Sequence, residues 1–164
     1  MSAAPFRSEV LLADVGATLA LGETIGRHLR PGQALALIGD LGAGKTTLAR
    51  GVARGLGVDD PDAVSSPTYL LVVEHEGPLP MVHVDAYLPD KTRAFLLDGG
   101  LDYLHELGGV VVVEWADRIA ELLPAETVEL RLDPAAGGRM ARLSGGAAFS
   151  WIASLGRAPE RGGP

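Results

Sequence analysis

Eight consecutive residues, Gly39-Asp40-Leu41-Gly42-Ala43-Gly44-Lys45-Thr46, spell G-x-x-x-x-G-K-[ST], the pattern of a loop that cradles phosphate. Glycines let such a loop curl with its backbone N–H groups inward, and the helix that follows adds the positive end of its dipole. Residues Asp40, Leu41, Gly42, Ala43, Gly44, Lys45, Thr46 and Thr47 are therefore expected to wrap the phosphates of a nucleotide. Lys45 would contact the β- and γ-phosphates, and the Thr46 hydroxyl would face Mg2+. Lysine is scarce in this chain, and Lys45 shares the residue type only with Lys91.

Binding becomes hydrolysis only when an acid stands near the metal or the attacking water, usually at the end of a neighbouring buried strand. Two acids qualify. Glu114 ends the run Val110-Val111-Val112-Val113, and Asp85 ends Met81-Val82-His83-Val84. Either could hold Mg2+ or its waters, directly or through an intervening group, and their residue types leave the division of labour open. The expected catalytic set is Lys45, Asp85 and Glu114, with Thr46, Asp85 and Glu114 as the metal-facing set. Thr68, within Ser65-Ser66-Pro67-Thr68-Tyr69, stands where many nucleotide switches place a γ-phosphate sensor, although a capped turn entering a strand is the plainer reading. Trp115 could pack near the nucleotide, against a partner, or in the core as strand-end indoles commonly do. His83, inside an apolar strand, reads as a satisfied structural group with no catalytic role.

These groups need elements to hold them. Glu9 to Leu12 reads as a short strand, and Asp14 can cap an amphipathic helix running to about Leu29. Gln33 to Ile38 is an apolar run suited to a strand buried on both faces, and the spacing Leu48, Val52, Leu56 predicts a helix from Lys45 that Gly55 and Gly57 end. Thr68 to Glu74 and Met81 to Asp85 predict a hairpin around Gly77-Pro78. Arg93 to Leu107 carries a weaker helical pattern broken at Gly99-Gly100, and Val110 to Val113 is strongly strand-like. A short helix from about Asp117 to Leu122, a hairpin of Val128 to Leu132 with Arg139 to Leu143, and a last helix from Ala147 to Leu155 complete the order. Together they predict an α/β fold with a mostly parallel sheet flanked on both faces, antiparallel hairpins, and nucleotide at the carboxyl ends of the parallel strands. Residues 1–155 are expected to form one unit, and 156–164 a disordered tail.

Composition narrows the classes. In 164 residues, 47% hydrophobic and 21% charged, the proportions suit a globular domain and exclude a fibrous or wholly disordered chain. No apolar run nears the roughly 20 residues of a membrane span, and no signal-peptide core is present, so a cytoplasmic location without membrane attachment is expected. Without cysteine, disulfides, thiolate metal sites and thiol nucleophiles are excluded, and four scattered histidines argue against zinc. A net charge of −7 argues against autonomous binding of nucleic acid.

Taken together, Gly39 to Thr47, Ser66-Pro67-Thr68-Tyr69, His83-Val84-Asp85-Ala86-Tyr87 and Glu114-Trp115 resemble the TsaE (YjeE) family of small P-loop ATPases, over about residues 16 to 143. The resemblance implies a P-loop NTPase-like three-layer sandwich that uses ATP and Mg2+. It also implies that the chain helps to make threonylcarbamoyladenosine in tRNAs that read ANN codons. Its partners would be TsaB and TsaD, with tRNA held only indirectly through their complex, and ATP hydrolysis would support or reset that complex. Lys45, Thr46, Asp85, Glu114 and Trp115 match family positions tied to nucleotide binding or turnover. Two positions depart from the pattern: Leu88 stands where the family has Arg, and Ala116 where it has Pro. A small-molecule phosphotransferase is the rival reading, but no arginine-rich lid segment follows Asp85. A GTP switch is less well supported, since the chain has no asparagine for an Asn-Lys-x-Asp element. Arg50 and Arg54 lie on the helix that leads away from the phosphates, so slow basal hydrolysis awaiting a partner is expected.

Overall fold

A computed structural model describes residues 5–156. Seven strands form one sheet: β1 (Phe6–Leu12), β2 (Ala34–Ile38), β3 (Val72–His75), β4 (Met81–Asp85), β5 (Val110–Glu114), β6 (Thr127–Ala135) and β7 (Gly138–Gly145). Their spatial order is β1-β7-β6-β2-β5-β4-β3. The inner four, β6-β2-β5-β4, are mutually parallel, whereas β7 and β1 add antiparallel on one side and β3 on the other. Every residue of β2, β4 and β5 is buried, as strands covered on both faces must be.

Alternation along these strands divides the core. Leu35, Leu37, Met81, Val110 and Val112 face α1 (Val15–His28) and α2 (Lys45–Leu56), while Ala34, Ala36, Val82, Val84, Val111 and Val113 face the opposite layer. That second layer holds α3 (Pro89–Phe95), α4 (Leu101–Leu107) and the 3-10 segment Ala116–Leu122. Asp98 and Gly99 leave helical geometry between α3 and α4, at the break expected from Gly99-Gly100. The helix boundaries follow their chemistry: Asp14 caps α1, and Gly57, left-handed at φ 77°, ends α2.

The helices α1 and α2 approach through backbone. A Cβ at Gly22 would meet the Leu48 carbonyl at 2.4 Å, and one at Gly51 the Leu19 carbonyl at the same distance. Such contacts admit no side chain, so the pair fixes where α2, and therefore the loop before it, lies on the sheet.

Three expectations change. The strand expected from Thr68 begins only at Val72, because residues 68–70 form a turn and the hydroxyls of Ser66 and Thr68 serve Asp85. Met81 to Asp85 is a member of the parallel set as well as of the hairpin, through its pairing with β5. The terminal helix is a 3-10 segment, Ala147–Ser154, interrupted at Phe149, whose ring is buried against the sheet. Of the expected tail, 157–164 lies outside the described residues.

Candidate functional site

The loop from β2 to α2 closes on Lys45. Gly44 precedes the helix at φ 104°, a left-handed conformation that glycine adopts without steric cost. No side chain caps α2, in contrast to α1, where Asp14 Oδ1 accepts from the Ala17 amide at 2.8 Å. The first-turn amides of α2, at the positive end of its dipole, therefore front a cavity of about 480 Å3 without a competing cap. Residues 41–47 line it together with Ser66, Thr68, Tyr69, Tyr87, Glu114 and Trp115. Its size suits a small molecule. Asp40 is exposed beside the cavity and contributes its carbonyl to Lys45, while Leu41 is an exposed side chain at the rim.

Lys45 is buried, and its Nζ donates to the carbonyls of Gly39 at 2.7 Å and Asp40 at 2.8 Å. Burial pushes its ammonium below the ordinary lysine pKa, against the pull of Glu114, Asp85, Asp40 and Asp117. The same Nζ stands 4.0 Å from the centroid of the Trp115 ring. Arg118 lies 4.5 Å from that ring and 5.2 Å from the ring of Tyr87, and it donates to the Tyr87 carbonyl. Two cations thus share one indole. Trp115 is held at φ 57°, a left-handed conformation worth about 1–3 kcal/mol of strain. That turn carries the chain out of β5 and folds the indole back over Lys45, so Trp115 lines the cavity while it also packs against the core layer of α3 and α4.

Asp85 and Glu114 are direct cross-strand partners at the carboxyl ends of β4 and β5, and both are buried. They hold different neighbours. Glu114 Oε1 accepts from the Thr46 hydroxyl at 2.9 Å, and Oε2 lies 2.6 Å from His83 Nε2. Asp85 Oδ2 accepts from Ser66 at 3.0 Å and Thr68 at 3.1 Å, and Oδ1 from the Tyr87 amide at 2.7 Å. Glu114 therefore grips the start of α2, whereas Asp85 grips the loop on the other side of the cavity without lining it. The Thr46 hydroxyl and Glu114 carboxylate offer hard oxygen donors on one side of the cavity, a donor set that fits Mg2+.

His83, expected from the sequence to be a satisfied structural group, reaches Glu114, and it lies two residues before Asp85 on the same face of β4. Arg118, three residues past Trp115, comes back under the indole by one tight helical turn. Arg93 is engaged with Glu121 and the Arg118 carbonyl, and neither it nor Leu88 lines the cavity. Arg54 pairs with Asp62, and Arg50 donates to the Val64 carbonyl, so neither turns to the loop. Among the described residues, no helix is long and apolar enough to cross a membrane.

Residues 12–141 match the family TsaE, described as threonylcarbamoyl adenosine biosynthesis protein TsaE. The chain is 42% identical over 128 residues to the tRNA threonylcarbamoyladenosine biosynthesis protein TsaE of Streptomyces coelicolor, covering 71% of this chain and 79% of the relative. To the protein of the same name from Bacillus subtilis it is 41% identical over 115 residues, 69% of each. The crystal structure of Bacillus subtilis YdiB matches with a TM-score of 0.70 and 28% identity, over 93% of this chain and 95% of that one.

Proposed function

Because this chain belongs to the TsaE family, we propose that it is a Mg2+-dependent ATPase acting in the formation of threonylcarbamoyladenosine on tRNA. The observation that carries the reading is convergence: Lys45, Thr46 and Glu114 meet at the uncapped start of α2, on one cavity. Phosphate oxygens accept what this end of the helix offers, namely backbone N–H groups, an ammonium and the helix dipole. To reach a phosphate, Lys45 exchanges its two carbonyl contacts for phosphate oxygens, and Trp115 keeps water from one side of the ammonium. Bound Mg2+ would supply charge compensation at the β- and γ-phosphates, held by Thr46 and, directly or through water, by Glu114. Asp85 acts through the hydroxyls of Ser66 and Thr68, keeping that loop against the cavity where Thr68 can respond to a γ-phosphate.

The partner complex in this reading is TsaB–TsaD, with tRNA engaged only through it. The described cations support a latent enzyme, since Arg50, Arg54 and Arg93 are committed to other contacts, Arg118 is held by Trp115, Tyr87 and the Tyr87 carbonyl, and none of the four lines the cavity. A supplied arginine or an ordered loop is worth about 10³ to 10⁵ in kcat for phosphoryl transfer. The test is hydrolysis of ATP and of GTP with and without TsaB–TsaD. Slow ATP turnover that rises on adding the complex is expected; no turnover in either condition would overturn the ATPase reading, and equal rates with binding shown independently would overturn latency.

A further inference from the structure

We infer that His83 is a positioning residue that, through Glu114, presets the Thr46 hydroxyl for metal and nucleotide. The inference rests on the proposed ATPase reading and adds to it a residue outside the phosphate loop and outside the acid pair.

Three side chains from three elements form a line: His83 Nε2 to Glu114 Oε2 at 2.6 Å, then Glu114 Oε1 from Thr46 Oγ1 at 2.9 Å. With both carboxylate oxygens engaged, the plane of the Glu114 carboxylate is fixed, and so is the direction from which Thr46 meets it. A ring nitrogen facing a carboxylate carries the hydrogen, so Nε2 donates to Glu114 Oε2. The Nδ1 atom is buried and has no hydrogen-bond partner among the described residues. The imidazole therefore satisfies nothing else in the core. Its cross-strand neighbours are Val73 and Val112, and the side chain is fully buried, a setting in which an apolar residue of similar volume would pack at lower cost. What the ring contributes there is one bond, to the one acid that touches Thr46.

Without that bond, Glu114 Oε2 loses its partner and the carboxylate is free to turn toward the Lys45 ammonium. Nucleotide contacts made by the loop backbone are unaffected by such a turn. The loss is expected in kcat and in the Mg2+ requirement, with little change in KM for ATP.

Two variants separate positioning from packing. His83→Leu fills the volume without a donor, and His83→Gln restores an N–H near the position of Nε2. Compared with the wild type, folded His83→Leu should lose about 10-fold to 100-fold in kcat, and the Mg2+ concentration that half-saturates binding of a fluorescent ATP analogue should rise. His83→Gln should recover most of both. A second readout needs no nucleotide: imidazole ¹⁵N spectra of the free protein should show a protonated, hydrogen-bonded Nε2 at His83, and Glu114→Leu should abolish that bond. Wild-type kcat and Mg2+ dependence in folded His83→Leu, or an Nε2 without hydrogen in the wild type, would overturn the inference alone. Absence of turnover in the wild type would instead overturn the proposed function.

Discussion

At one edge of the sheet, Arg142 of β7 lies 3.2 Å from Glu9 of β1 and 3.1 Å from Asp133 of β6, and all three side chains are 39–62% exposed. Toward the other edge, His83 and Glu114 bridge β4, β5 and the start of α2 while Asp85 beside them holds Ser66 and Thr68, and none of the three is more than 3% exposed. Both sets link neighbouring strands through polar side chains, yet their consequences differ. Water competes for the exposed set, so its ion pairs are worth about 0–1 kcal/mol and chiefly keep the strand edge polar. A buried set cannot lose one member without stranding another, at about 3–5 kcal/mol for a charge. Burial on that scale is sustained where a site needs groups fixed before the ligand arrives: Glu114 of the buried set lines the cavity, and Asp85 holds Ser66 and Thr68, which line it too.

The largest expected effect is at the buried end. Lys45→Ala should abolish ATP hydrolysis while circular dichroism and thermal unfolding still report a folded protein; retained turnover would break the contrast at its centre. Next come the two acids. Asp85→Asn and Glu114→Gln should each lower kcat by about tenfold or more, at least 1.4 kcal/mol in barrier height. A near-normal rate in either would demote that acid to a structural role.

A smaller effect concerns His75 on the outermost strand β3, whose pKa is lowered from 6.5 by burial and by the neighbouring His83. Its unfolded form takes up a proton first as pH falls through about 6.5, so this contribution to stability is present above that pH and is lost below it. His75→Gln should flatten the fall in urea midpoint between neutral and mildly acidic pH, and an unchanged slope would remove His75 from the account. The smallest effect is at the exposed edge. Arg142→Ala should shift stability by no more than about 0.5 kcal/mol, roughly 1–2 °C in Tm. A shift several times larger would erase the distinction between the two sets.

Much of this was readable in the residues. The phosphate loop, Asp14 capping α1, the glycine end of α2, the buried runs of β2 and β5, and both acids at strand ends each have a local chemical signature. Local signatures could not show that Asp85 and Glu114 are cross-strand partners, because register depends on how distant strands align. Nor could they show the late start of β3, where Ser66 and Thr68 spend their hydroxyls on Asp85, or the turn at Trp115 that brings its indole over Lys45. The glycine contact between α1 and α2 is likewise tertiary: Gly22 and Gly51 look like helix-weakening residues until their helices meet.

The proposal that the buried set is a nucleotide site is tested most directly by a crystal structure with Mg2+ and a non-hydrolysable ATP analogue. The expected result has the triphosphate at the start of α2, Lys45 Nζ moved from the Gly39 and Asp40 carbonyls onto phosphate oxygens, and Thr46 with Glu114 at the metal. A nucleotide bound elsewhere, or Lys45 still on its own carbonyls with the triphosphate in place, would contradict it.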